Sequence, residues 1–420
     1  MSIRWPIGES IRLNLTLIVS GLWISIICLS SPLYAQKFEF DGRCQKQSID
    51  FIKIRNLIVI PVFINNKGPY NFLLDTGVAQ MIITDTTFLS ALNCGKCKTI
   101  KVQGYSMSDE IEAVLTRNIT VKVGKSTIKN MPTAIFKTDI FDLSSYLGMK
   151  IHGILGYYFF SSFLVKVNYT ACKITIYNPD TKVKRKGTKI PIEIINAKPY
   201  FMAEMNIPTQ GKSSVELLID NGSSHPLMME SINNQPFPLP DTTISANLGV
   251  GINGQIRGKM GRISTMQIGN FPFENILSGF PIFNSQRSEL EGETRNGSLG
   301  ADVLKHFLVT FDYSHNALYL KKTSNYKNKF NHDMSGIEIY AKQDKQEHFF
   351  ISRIEPDSPA EQAGLETDDE IISLNFQKTQ TYTLTELTEM FSDEDGKQVI
   401  IEVKRKDKNY VTLLKLKKRI

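Results

Sequence analysis

The strongest constraint on this 420-residue chain is that it contains one pattern twice. Phe72-Leu73-Leu74-Asp75-Thr76-Gly77 returns as Leu217-Leu218-Ile219-Asp220-Asn221-Gly222, with the aspartates 145 residues apart. Val123-Gly124 returns at the same spacing as Ile268-Gly269. Two further landmarks return 144 residues on. Ile154-Leu155-Gly156 becomes Ser298-Leu299-Gly300, and Phe163-Leu164-Val165-Lys166-Val167-Asn168-Tyr169 becomes Phe307-Leu308-Val309-Thr310-Phe311-Asp312-Tyr313. Four landmarks in register describe one domain-sized unit used twice.

Within the first unit, apolar residues alternate or cluster in short runs at 57–64, 72–74, 119–123, 164–167 and 174–177, bounded by Gly, Pro and Asn. That spacing predicts strands. Short helices are expected after Gly156 and Gly300, from Tyr157-Tyr158-Phe159 and Ala301-Asp302-Val303-Leu304. Asp75 ends one apolar run and Met81-Ile82-Ile83 begins the next, so its carboxylate is presented at a turn between strands. A carboxylate in apolar surroundings requires a partner. Two such turns facing each other would hold two carboxylates across one water. An apolar-apolar-Gly strand crossing behind each turn must pass very close to it, which glycine permits by lacking a Cβ.

The duplicated Asp-x-Gly and the later apolar-Leu-Gly, over residues 50–322, resemble the aspartic peptidase superfamily that includes pepsin and the retroviral peptidases. The resemblance implies a mainly β fold of two pseudo-symmetric lobes of closed-barrel type. Each lobe would give one catalytic aspartate, Asp75 and Asp220, with Thr76, Gly77, Asn221, Gly222 and Ser223 in support. In relatives the hydroxyl at the position of Thr76 bridges the lobes beneath the carboxylates. Asn221 departs from that pattern with a longer, planar amide. Two functions stay open on this ground: an aspartic endopeptidase, and a catalytically inactive pseudo-peptidase that binds peptides.

Two carboxyls about 3 Å apart share one proton, because like charges so close do not both ionise. The ionised member takes a proton from water, and the protonated member donates to the substrate carbonyl. Ser223, whose counterpart in the first repeat is Val78, is expected to donate to Asp220 and so make it the ionised partner. This chemistry uses no metal and no cofactor, and none is expected. A flap over the cleft is expected from Val102-Gln103-Gly104-Tyr105-Ser106, with Tyr105 at its tip, and from Leu248-Gly249-Val250-Gly251. His152 and His225 are expected to pack rather than to react.

Arg4 and Arg12 precede an uncharged run over 13–29 and a small-residue exit at Ala35. This predicts a secretory signal over residues 1–35 and an exported protein, periplasmic, in the cell envelope or secreted. The run also approaches the length of a spanning helix, so an uncleaved anchor is the alternative and the one route to a membrane. Cys44, Cys94, Cys97 and Cys172 follow the exit. In an exported chain they are expected to form disulfides, Cys94 with Cys97 and Cys44 with Cys172, other pairings remaining open. Zinc lacks a second ligand pair. The formal net charge of +7 is concentrated at 182–186 and 321–329, read as solvated linkers. Neither carries an aromatic stacking platform, which argues against nucleic acid as a partner.

Past the second basic segment the pattern changes. Strands are expected at 337–340, 349–354, 399–403 and 410–416, with helices at 358–363 and 384–391. Ser358-Pro359-Ala360-Glu361-Gln362-Ala363-Gly364-Leu365, followed by Asp368-Asp369-Glu370-Ile371-Ile372-Ser373-Leu374-Asn375, resembles a PDZ domain. The resemblance implies a small α+β module that adds an extended peptide to a sheet edge. Phe349, Phe350 and Ile351 would line its groove beside the helix at 384–391. Gln346-Glu347-His348 lacks the Gly-rich loop that captures a terminal carboxylate. The expected organisation is a signal or anchor at 1–35, lobes at 36–180 and 190–322, a linker at 323–335 and the PDZ-like domain at 336–420. Its partners would be a peptide or protein substrate and a protein ligand of the C-terminal domain.

Overall fold

The computed structural model describes residues 36–91, 97–103, 110–251, 254–283, 295–343, 347–392 and 394–420. The expected signal or anchor, Cys94, and Gly104-Tyr105-Ser106 with the expected flap tyrosine lie outside the described residues. Lys37–Ile420 belong to one unit.

The duplication in sequence is a duplication in space. In the first half, the strand Lys67–Leu74 pairs antiparallel with Leu57–Ile64 and parallel with Gly153–Leu155. In the second, Gly211–Asp220 pairs antiparallel with Lys198–Ile207 and parallel with Gly297–Gly300. Each aspartate therefore stands at or just past the end of a strand held on both sides. Phe72, Leu74, Leu217 and Ile219, which lead into the two turns, are fully buried. At about 1.5–3 kcal/mol for each such side chain, these anchors fix where the turns emerge. Helices Tyr157–Ser162 and Ala301–Leu304 follow the landmark glycines.

The halves join through a six-stranded sheet to which both contribute. Leu164–Asn168 pairs antiparallel with its own counterpart, Phe307–Asp312, in the register Val165↔Phe311, Lys166↔Thr310 and Val167↔Val309. Lys166 and Thr310 are repeat equivalents, so the pseudo-twofold axis passes between them. Around that axis the two Asp turns are brought face to face. The second lobe closes: its eight-stranded sheet gains a pairing between Lys198–Ile207 and Gly254–Ile268 that completes a ring. The first lobe's eleven-stranded sheet follows an open path among the described residues.

The C-terminal module has its own core, built from Ile339, Phe349, Ile351, Leu387, Val399 and neighbours. Ser358 caps the helix Pro359–Gln362, and Thr383 with Glu386 forms a capping box on Leu384–Met390. These satisfy backbone donors that a helix start leaves free. The sheet corrects one expectation. Phe349, Phe350 and Ile351 lie on Glu347–Ile354, an interior strand paired with both Ile337–Gln343 and Glu370–Leu374. An interior strand has no free edge for a peptide. The edge beside the helix is instead Ile337–Gln343.

The expected linkers are also less solvated than their charge implied. Phe330 is buried in the core of the lobes and Tyr326 packs on Phe271 and Phe307, while Arg185 pairs with the buried Asp312 at 2.9 Å. Long basic side chains stay in water above an apolar or paired base. Cys44 and Cys172 carry free thiols, against the expected bridge, whereas Cys97 is disulfide-bonded.

Candidate active site

Each Asp turn is closed by its own glycine: the N–H of Gly77 donates to Asp75 Oδ1 at 2.6 Å, and that of Gly222 to Asp220 Oδ1 at 3.0 Å. Behind the turns, Val78 O accepts the N–H of Tyr157 at 2.9 Å and Ser223 O that of Ala301 at 2.8 Å. These two bonds are repeat equivalents and tie each turn to the start of a helix. They require close approach at the landmark glycines. A Cβ on Gly156 would lie 1.9 Å from Val78 O, and one on Gly300 would lie 1.9 Å from His225 O. Gly222 leaves room for the opposite carboxyl, because a Cβ there would stand 2.2 Å from Asp75 Cγ.

Beneath the carboxyls the lobes grip each other. Thr76 Oγ1 donates to Ile219 O at 2.6 Å and accepts the N–H of Asn221 at 3.1 Å. Asn221 answers with two atoms: its Nδ2 donates to Leu74 O at 2.9 Å, and its Oδ1 accepts the N–H of Thr76 at 2.7 Å. One hydroxyl does both tasks on one side, while the amide divides them on the other. Both residues are fully buried. The departure at Asn221 thus keeps a symmetric four-bond bridge.

Asp75 and Asp220 come together at a cleft of about 280 Å³ that both line: a Cβ on Gly77 would lie 3.1 Å from Asp75 Oδ1 and 3.3 Å from Asp220 Oδ1. Burial, then the negative charge of Asp220, pushes Asp75 well above the usual carboxylate range. Burial raises Asp220 too, but Arg295, the Gly222 and Ser223 backbone N–H groups and the Asp75 hydroxyl pull it back. Asp75 is thus the more strongly raised of the two. The Ser223 N–H donates to the Asp220 main-chain carbonyl at 3.2 Å and lowers the Asp220 carboxyl from nearby, in place of the expected hydroxyl.

Arg295 escaped the sequence reading. It lines the cleft and is held by Glu230 at 3.0 Å. The signal was present: Asp85 and Lys150, each 145 residues earlier, form an ion pair at 3.0 Å in the first lobe. Only the second pair reaches the dyad's cleft.

The rest of the cleft is apolar on the first-lobe side, with Leu57, Leu73, Ile82, Phe141 and Leu143. From the second lobe, Leu248 and Gly249 of the strand Thr243–Gly251 enter the lining, as the expected second flap segment. His225 bonds Leu248 O at 3.0 Å, and burial lowers its proton affinity. His152 Nδ1 accepts the N–H of Asn71 at 3.1 Å and packs on Tyr70. Among the described residues, no group of three His, Cys, Asp or Glu side chains is arranged to hold a metal.

Comparison with known proteins agrees with this architecture at the level of domains. Residues 60–159 match the family model described as aspartyl protease, and residues 326–404 match that described as PDZ domain. No curated protein matches the chain. Among solved structures, the aspartic proteinase from Irpex lacteus is similar at 14% identity and a TM-score of 0.40, covering 68% of this chain and 100% of that one.

Proposed function

We propose, from the premise that this chain joins an aspartyl-protease domain to a PDZ domain, that it hydrolyses peptide bonds with the Asp75 and Asp220 pair. One observation carries the reading: the two carboxyls meet at one cleft floor, where a Cβ on Gly77 would lie 3.1 Å from Asp75 Oδ1 and 3.3 Å from Asp220 Oδ1, and their surroundings raise Asp75 more than Asp220. Asp220 takes a proton from water, and the oxygen attacks the substrate carbonyl carbon as Asp75 gives its proton to the carbonyl oxygen. Asp220 then returns its proton to the amide nitrogen and Asp75 regains one from the diol as the C–N bond breaks. The inactive alternative rested on Asn221, and the bridge that Asn221 makes to the other lobe supports the active reading.

The chain's place of action is proposed to be outside the cytoplasm. The disulfide at Cys97 fits an oxidising compartment, as does the expected signal.

Digestion of a denatured protein across acid to neutral pH, with and without a statine-type mimic of the diol, tests the reading. Cleavage that is blocked by the mimic and lost in Asp75→Asn and Asp220→Asn is expected, a loss of about 10³-fold or more. Cleavage at no pH, or undiminished cleavage by either variant, would sink it.

A further inference from the structure

The edge of the PDZ domain that faces its helix is covered by a segment that also walls the catalytic cleft. Strand Ile337–Gln343 ends its sheet. Opposite Ile339, Ile351 commits its N–H and C=O to Asp369 and Asp368 at 2.9 and 2.8 Å. Ile339 therefore turns its own backbone groups outward, where its carbonyl accepts Arg55 Nη2 at 2.9 Å. The first-lobe helix Leu143–Leu147 packs along the same strand. Just past it, Gly148 lies against both sides of the groove. A Cβ there would stand 3.4 Å from Ala341 Cβ on the strand and 3.3 Å from Leu384 Cδ2 on the facing helix. In the preceding loop, Gly336 N–H donates to the Asp333 carboxylate at 2.5 Å and Ile337 N–H to Ser335 Oγ at 3.0 Å. Those amides are committed within the loop.

The covering segment reaches the cleft through Phe141, Leu143 and Tyr146. The Tyr146 hydroxyl meets Ser224 Oγ at 3.1 Å, two residues past Gly222, and Arg55 lies 4.4 Å from the centre of the Tyr146 ring. The second lobe is held as well, since Asn247 Nδ2 donates to the Glu338 carboxylate at 2.8 Å.

We propose that residues 143–148 are an internal ligand of the PDZ domain, and that an extended polypeptide adding to the Ile337–Gln343 edge displaces them from the cleft wall. A strand added there pairs with the edge through a main-chain ladder, and its greater affinity for the edge over the internal helix is what shifts the equilibrium. The inference goes beyond hydrolysis and stands whether or not the dyad turns over.

The test uses the full chain with Asp220→Asn, so that the probe stays intact, and reduced, carboxymethylated α-lactalbumin as a permanently unfolded probe. A Gly148→Cys and Ala341→Cys pair places its Cβ atoms near the spacing of a disulfide, about 3.5–4.5 Å, and staples the segment in place. Amide exchange is followed at 143–148 and 337–343, with each single Cys variant as a redox control. With the probe at about ten times its Kd, exchange at 337–343 should slow about tenfold while 143–148 speeds up. The oxidised staple should abolish both changes and thiol should restore them. The proposal fails if 337–343 slows with 143–148 unchanged, if 143–148 alone responds, if neither does, or if the response survives the staple. Arg55→Ala provides a second measurement that does not depend on the staple: severalfold tighter probe binding is expected, and unchanged binding overturns the proposal.

Discussion

Thr76 and Asn221 stand 145 residues apart in the chain and exchange two hydrogen bonds beneath the aspartate pair, while each side chain donates one more across the lobes. The bridge reaches the carbonyls of Leu74 and Ile219, the residues just before each aspartate. It therefore sets the separation of the two carboxyls directly.

Asn221→Ala leaves the Thr76 N–H and the Leu74 carbonyl without partners in a dry interface. The expected cost is about 2–4 kcal/mol, read as a lower urea midpoint, with cleavage falling in parallel. Asn221→Thr restores a hydroxyl that both donates and accepts, and should recover most of both. An alanine variant as stable as the parent would show that the bridge is not what holds the lobes.

Arg295 lowers the proton affinity of Asp220, the base of the proposed mechanism. In Arg295→Gln that pull is lost, so the base protonates at a higher pH than before. The acid limb of the pH–rate profile should move upward. Because the dyad titrates as a pair, both limbs report the pair rather than single residues. An acid limb that stays where it was would remove Arg295 from the chemistry.

Gly156→Ala and Gly300→Ala each push a methyl into a carbonyl oxygen at 1.9 Å. The backbone has to move, and with it the Asp turn on the same side. Each change should destabilise by about 1–3 kcal/mol and cut cleavage at least tenfold, as overpacked sites do. Gly211→Ala, at a hairpin with φ of +81° and nothing within 4 Å of the added atom, adds left-handed backbone strain without a clash and should leave cleavage intact.

His332 and Asp333 carry opposite pH dependences side by side. Burial drops His332 to about 4, and the neutral ring fits its site, with Nε2 accepting the N–H of Arg419 at 3.4 Å. Between pH 4 and 6.5 the unfolded chain binds the extra proton, so this group makes stability rise with pH. Burial lifts Asp333 to about 6, so the folded chain binds the extra proton between about pH 4 and 6, and stability falls with rising pH. Each shift corresponds to about 3 kcal/mol at full expression. The parent should show little net slope from the pair. His332→Asn should expose a stability that falls from pH 4 to 6, and Asp333→Asn one that rises, in urea unfolding at each pH. Parallel slopes in the two variants would refute the assignment.

Much of the fold was legible because strand grammar and duplication are local and repetitive signals. The run at 57–64 is the strand Leu57–Ile64, and the helices after Gly156 and Gly300 begin where expected. The failures share a different cause. Phe349, Phe350 and Ile351 form an apolar run whose alternate members, Phe349 and Ile351, are buried in the core of their module, and apolarity does not tell an interior strand from the edge beside it. Cys44 and Cys172 made an even count with the other two thiols, but a bridge depends on distance, which counting does not supply. Arg295 lay in plain view as the repeat of Lys150, yet nothing local distinguishes the pair that reaches the cleft from the pair that does not.

What the sequence determined alone was the repeat: two aspartates, each followed by a glycine, and two glycine landmarks to cross behind them, all set by residue type and spacing along the chain. What only the tertiary structure decided was the use of those parts. An amide in place of a hydroxyl can bridge the lobes because its donor and acceptor happen to meet Leu74 and Thr76. The unequal proton affinity of the dyad comes from the charge of Arg295 on the Asp220 side, and the PDZ edge is covered by a helix about two hundred residues away in the chain. Charge, burial and hydrogen-bond geometry act through space, and distance through space is not written in the order of the residues.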